Sequence, residues 1–474
     1  MIRVRAEVAK SIKIAVEEML RKKNLCLFFA FVSIFFASCG RSNKVLSVSE
    51  NELFSLDYGN FAEQINLFKL RESGQVSSSL YMRDGFFYIV NGDAGKIMSL
   101  NSYGDLLSLF YSEDFYAQAK FSSIVNTDSG IWKPVSYPFS LTGKIAVDSR
   151  KYIYAVGTVP RERNEQDVSQ SLLYSQVVLR ISSDGKEIDY LGQQGPSGTP
   201  FPDIKNIYTT ENNEIVVVSS NNDGLAAYWF ASSGFLKYRI PVGVKVVPVI
   251  TPESVNVNAE QSDLFVTVEN VVPDCYAERL YVKVDYYFSH IDEESKTQSG
   301  IDYVKSSVYP LDIATGKFGE ALNIPAYEES VTEDFSKLTY KLPYDFLGVT
   351  KNTWMYFIIT TENGFNVMML QPGTQNVMKR NIEINHKNTL YYSLSLSDEG
   401  IISALLCEKG YFKSPQTFEI TKIKNSLPLN MCRAKRSTFK SFVLHLCPAC
   451  DTIQITKTIQ LEDFSMIYDT LNNL

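Results

Sequence analysis

The chain has 474 residues, 45% of them hydrophobic and 21% charged, with 46 Lys and Arg against 53 Asp and Glu. That apolar share supports a packed interior and excludes wholesale disorder. A formal net charge of -7 offers no basic field for phosphates, which argues against nucleic acid as a partner.

The first informative stretch runs from Met19 to Gly40. Arg21, Lys22 and Lys23 make a positive start, residues 25–36 form an apolar run, and Ala37-Ser38-Cys39 closes it with small residues. That order is a signal peptide's, and the run is too short for a bilayer span of about 20 residues. Residues 1–18 do not fit ahead of such a leader, so initiation is expected at Met19 and the signal peptide at 19–38. Cys39 at the cut resembles the lipobox of bacterial lipoproteins, with Phe36 where that motif usually carries Leu. The resemblance implies a thiol that receives diacylglycerol, cleavage before Cys39, and a mature chain moored to a membrane by two or three acyl chains. Residues 39–50 then serve as a tether.

Beyond the tether, short runs rich in Val, Ile, Tyr, Phe and Thr alternate with Gly, Asn, Asp and Ser clusters, and helical periodicity is scarce. Strands are expected at Phe86–Asn91, Tyr152–Gly157, Glu214–Ser219, Leu264–Val268, Trp354–Thr360 and Gly400–Leu406. A cadence of strand, Gly turn and strand recurs at Gly104, Gly185, Gly234, Gly316 and Gly373. One such unit has an unburied apolar face and must stack on a neighbour; stacking around a ring gives a propeller with protected edges. The glycine intervals of 81, 49, 82 and 57 residues are irregular, so insertions are expected at Ser112–Thr142 and Asn270–Ser307.

Asp148 with Tyr152-Ile153-Tyr154 and Val178-Leu179-Arg180-Ile181-Ser182-Ser183-Asp184-Gly185 looks like an NHL-type repeat, and the unit from Asp84 to Gly104 is a looser copy. With the leader, and with the connection from Gly192 to Pro202, the chain is similar to a family of chiefly spirochaetal lipoproteins that carry NHL-like propellers. The resemblance spans roughly Glu52 to Ile420 and implies fold and address, but no agreed activity. The fold class expected is all-β, a propeller of six to seven four-stranded blades over 51–426. Glu52–Asp57 or Gln64–Leu70 is expected to close the ring by pairing with strands from the other end. Residues 427–474, with Cys432, Cys447 and Cys450 and the basic cluster at 433–436, break the pattern and are left as an added strand pair, a frayed tail or the product of a shift in reading frame, with no site assigned there.

No GxSxG, HExxH, P-loop or GxGxxG motif occurs. His290, His386 and His445 are best taken as exposed or structural, and Cys447-Pro-Ala-Cys450 as ordinary thiols or a bridge formed outside the cell. Propeller lactonases gather carboxylates at the pore around a metal. Asp84, Asp148 and Asp263 are the calcium ligands that such chemistry would use, although each serves more simply as a turn carboxylate. Neither catalytic residues nor a metal site are therefore assigned, and no cofactor is expected beyond a weak case for calcium.

Recognition is expected on loops and insertions. Trp132 and Tyr137 supply rigid aromatics in the first insertion. A long hairpin from Arg279 to Phe288, returning through Ile301–Lys305, is expected to project, with Tyr281, Lys283 and Asp285 on one face and Tyr287 beside them. The leading function is a non-enzymatic, lipid-anchored envelope propeller acting as a protein-interaction or scaffold module. The alternatives are a metal-assisted hydrolase or lactonase at the pore, and a small-ligand or glycan binder.

Overall fold

The computed structural model describes residues 45–48, 52–59, 61–66, 76–112, 132–135, 140–167, 172–250, 264–291, 298–333, 336–374, 376–385, 389–408 and 438–445. Strands dominate, and most of them have four to eight residues. Among the described residues there are six sheets of four or five strands and two separate hairpins. The inner strands are Ser78–Arg83, Ser140–Val147, Ile204–Thr209, Leu264–Pro273, Asp345–Val349 and Thr389–Leu396. These six stand around one axis, and the sheets radiate from them as blades 1 to 6. The protein is a β-propeller.

Each inner strand leaves one backbone edge without a sheet partner, and buried backbone groups must be paired. Here the neighbouring blade supplies the partner. Ser393 and Ser395 of blade 6 accept from the Leu80 and Met82 amides of blade 1 at 3.1 and 3.3 Å. The Ser79 hydroxyl of blade 1 donates to Gly143 O of blade 2, and Lys144 Nζ donates to Lys205 O of blade 3 at 2.7 Å. Asn206 Nδ2 donates to Asn270 Oδ1 of blade 4, and Asn270 Nδ2 to Phe346 O of blade 5, each at 2.9 Å. The Lys351 amide returns the chain of bonds to Asp398 O beside blade 6 at 2.8 Å. Outside this ring lie six hydrophobic clusters, and each spans the interface between two adjacent blades. Both faces of every blade are therefore buried, which is why successive residues of a strand such as Phe86–Asn91 are nearly all apolar.

Gly104, Gly185, Gly234, Gly316 and Gly373 all have positive φ, and each lies in the turn between the third and fourth strands of a blade. At Gly234, with φ of 96°, a Cβ would also fall 2.5 Å from the Arg180 guanidinium, so both conformation and space require glycine there. The turns between first and second strands repeat as well, in different residues. Asp148, Thr210, Thr350 and Ser397 each accept, through the side-chain oxygen, the amide four residues on.

The ring closes through blade 6, where Glu52–Asp57 pairs with Thr438–His445, which in turn pairs with Ile401–Glu408. Of the two candidates for closure, Glu52–Asp57 is thus the strand used. Residues 438–445, assigned from sequence to a tail, belong to the sheet. Val45–Val48, assigned to the tether, is a strand parallel to Val377–Glu383 on the rim of blade 5. The second expected insertion is the elongation of blade 4 itself, in strands Leu264–Pro273, Arg279–Ile291 and Gln298–Asp312.

The segment after the closing strand is clamped by Lys96, whose side chain is fully buried. Its ammonium donates to the carbonyl oxygens of Phe61, Ala62 and Gln64 at 2.6, 3.2 and 2.5 Å. Lys96→Met strips three carbonyls of that donor and is expected to lower the unfolding free energy by about 2 kcal/mol. Denaturant titration of the purified protein measures this, and an unchanged midpoint would refute the clamp.

Candidate functional site

All six inner strands run in the same sense, so the propeller has two unlike faces. On the face where these strands end lie the first-to-second and third-to-fourth turns, all short; this is the turn face. The opposite face receives every long described element. It carries the hairpin Glu165–Asp167 with Leu172–Tyr174, the stretch 244–250, and the hairpin Tyr327–Glu333 with Ser336–Leu342. Blade 4 also overshoots on this side. Asn270 is level with Asn206 and Phe346, the third and second residues of the neighbouring inner strands, so residues 264–267 stand about 14 Å beyond the starts of those strands. Leu173, Val246, Val249, Phe265, Ile301 and Tyr340 are exposed on these elements.

Between the faces runs an axial cavity of about 270 Å³, lined by inner-strand residues that include Lys144, Lys205, Asn206, Ser393 and Asp398. A charged network spans the mouth at the turn face. Arg83 of blade 1, only 6% exposed, reaches Asp398 at 3.0 Å and Glu211 at 2.9 Å. Lys351 completes it, 3.2 Å from Glu211 and 2.8 Å from Glu399. Blades 1, 3, 5 and 6 are thereby cross-linked. Burial pushes the Asp398 carboxyl up to about 7 against the pull of Arg83, and the facing Glu211 carboxyl adds to the rise. For Glu211 burial acts upward, yet its contacts with Asp398, Lys351 and Arg83 hold it below its ordinary value. Of the two carboxyls, Asp398 is therefore the one that takes up a proton more readily, while the cations beside Glu211 favour its ionised form. Chemically the arrangement is a cross-brace, because the oxygens that converge on the axis are already taken by a guanidinium and an ammonium.

Tyr281, Lys283 and Asp285, expected on the exposed face of a projecting hairpin, are instead buried, at 4%, 0% and 3% exposure. The hairpin exists, but its base is the middle of blade 4 and both its faces are covered there. Tyr281 donates to Asp274 at 2.9 Å. Lys283 Nζ donates to both Asp285 oxygens at 2.8 Å and lies 3.5 Å from Glu269. Tyr287, half-buried, makes an edge contact with the Tyr303 ring at 5.7 Å. Burial raises the Glu269 carboxyl to about 7 despite Lys283, and Asp285 and Asp345 push it the same way. Trp132 begins a strand parallel to Leu106–Ser112. Cys39, Tyr137, Asp263, His386 and Cys447 with Cys450 fall outside the described residues.

Asp148 is fully buried, and its oxygens receive the Arg150 and Tyr152 amides, the Arg150 guanidinium and the Tyr154 hydroxyl. Asp84 occupies a turn with φ of 52° and lies 3.8 Å from Arg83 Nε. Among the described residues no group of three or more His, Cys, Asp or Glu side chains is placed to hold a metal ion.

No family model matches the chain, and no curated protein matches it. Solved structures do resemble it. One is a calcium-binding protein, regucalcin, of Agrobacterium tumefaciens, at 8% identity over 84% of this chain and 95% of that one, with a TM-score of 0.35. The β-propeller domain of the Trilobed protease of Pyrococcus furiosus matches at 8% identity over 69% and 91%, with a TM-score of 0.33. A DUF4221-family protein of Bacteroides vulgatus matches at 10% identity over 62% and 76%, with a TM-score of 0.30.

The residues that sequence reasoning missed are Arg83, Glu211, Lys351 and Asp398. Arg83 ends an inner strand, the other three lie in the turns that follow three further inner strands, and the four share no motif. The one local signal is their place immediately before or after an inner-strand end, where a charged side chain faces the axis.

Proposed function

We propose that this chain is an exported, lipid-anchored propeller of the bacterial cell envelope that binds a protein partner through its extended face. The observation that carries the reading is the segregation of every long described element, with its exposed apolar side chains, to one face of a cross-braced ring. Rigid scaffolds that present loops on one side are a common design for recognition, and Leu173, Val246, Val249, Phe265, Ile301 and Tyr340 give these elements apolar side chains to offer a partner. The leader and Cys39 support the address. The pore hydrolase reading draws no comparable support, since Arg83 and Lys351 occupy the carboxylates that a metal would need.

Two measurements test this. Metabolic labelling with a fatty acid should place the label on the wild-type chain and lose it entirely in Cys39→Ala, which should also leave the membrane fraction. Affinity capture from detergent-solubilised membranes should recover one reproducible partner. Ile301→Glu combined with Tyr340→Glu should reduce its recovery at least tenfold, while Ser233→Glu on the turn face should not. Equal recovery with all variants, or ester cleavage that needs calcium with no partner recovered, would overturn the proposal.

A further inference from the structure

The rim strand Val45–Val48 enters the propeller at a defined place. Val45 pairs with Lys379 and Val48 with Ile382, parallel to the outer strand of blade 5. That outer strand follows the turn containing Gly373, so it begins at the turn face and runs toward the extended face. Val45 therefore lies on the turn-face side of the rim. Cys39 is six residues upstream and can be at most about 20 Å away along the chain. To bring the overshooting part of blade 4 against the same bilayer, the link would have to cover the length of the rim strand, about 10 Å, and then the overshoot of about 14 Å. Six residues are too few for both.

The turn face has a matching composition at its tips. Tyr103, Phe235 and Tyr276 project from turns of blades 1, 3 and 4 with exposures of 57%, 68% and 56%. Tyrosine partitions to the headgroup layer of a bilayer, because its ring is apolar and its hydroxyl stays hydrated, and a phenylalanine beside it can insert its ring at the boundary with the acyl chains.

We infer that the turn face lies against the bilayer that holds the acyl chains, with Tyr103, Phe235 and Tyr276 in the headgroup layer. The inference rests on acylation of Cys39 and deepens the proposal above. It leaves the extended face pointing away from the membrane, open to a partner.

The experiment uses the full mature protein in vesicles of phosphatidylethanolamine and phosphatidylglycerol, with a brominated lipid as quencher of tryptophan fluorescence. Acylation of Cys39 is checked by mass first, so a failure of anchoring is seen separately from a failure of orientation. Phe235→Trp and Tyr103→Trp should each show at least twofold more lipid-dependent quenching, above the parent protein, than Tyr340→Trp. Inserting about 20 Gly and Ser residues after Lys44 should erase that difference if reach sets the orientation; retained quenching would assign the contact to the aromatic tips themselves and uphold it equally. Quenching of Tyr340→Trp as strong as that of Phe235→Trp, in acylated protein, would overturn the inference. So would an unquenched Phe235→Trp, the result expected if a protein partner covers the turn face.

Discussion

Arg83→Met is expected to lower the unfolding free energy by about 3–5 kcal/mol, the usual consequence of removing one member of a buried ion pair. The side chain is 6% exposed and stands between Asp398 and Glu211 at 3.0 and 2.9 Å. Methionine keeps the apolar stem but leaves two carboxyls facing each other at the channel mouth, with Lys351 as the remaining cation on Glu211. The effect should depend on pH in a defined direction. In the folded protein the Asp398 carboxyl is pushed up to about 7 by burial. An acid whose folded value lies above its unfolded one favours folding most when both states are protonated. That advantage is lost as pH rises through about 7. The wild-type protein should therefore lose stability at this site as pH rises from the ordinary carboxylate range to about 7, and Arg83→Met, in which Asp398 no longer feels the pull of the guanidinium, should go on losing it above pH 7. The Glu211 shift is downward, so its contribution falls away only in acid, below the ordinary carboxylate range. Adding Asp398→Asn should restore part of the loss at pH 8. Urea titrations at pH 5.5, 7 and 8.5 check this; a variant whose deficit is the same at all three pH values would show that the brace is not ionic.

Lys283→Met should be comparably costly, again about 3–5 kcal/mol. Lys283 is fully buried, and its loss leaves Asp285, at 3% exposure, without the donor that holds both of its oxygens. Glu269, already raised to about 7 by burial, would be left facing Asp285 and Asp345 with no cation between them. The double variant Lys283→Met with Asp285→Leu should recover most of the stability, because a buried pair replaced by apolar groups of similar volume is often neutral. Lys186→Met is the control. Its pair with Asp184 is exposed at 85% and 57%, so the change should stay within about 0.5 kcal/mol. A single Lys283→Met variant as stable as the control would mean that the cluster carries no structural charge balance.

The parts of this fold that were legible in advance are those set by local stereochemistry. A tight turn between antiparallel strands needs positive φ, glycine meets that need at no steric cost, and five glycines accordingly mark the same turn in five blades. Alternation and β-branched runs located the strands for a related reason, since each describes a residue's own backbone. The first-to-second turns escaped notice because Asp148, Thr210, Thr350 and Ser397 perform one hydrogen-bonding task with three kinds of side chain.

Tyr281, Lys283 and Asp285 illustrate the limit. Strand alternation correctly assigns them to one side of a sheet, but whether that side meets water depends on a neighbouring blade contributed by residues more than sixty positions away. The brace at the channel mouth is further still from local legibility, since Arg83 and Glu211 are 128 residues apart. Strands and turns follow from short-range chemistry written in consecutive residues. Which faces are covered, where charges meet on the axis and which side of the disc carries the long elements follow from ring closure, a long-range condition that no stretch of the chain contains.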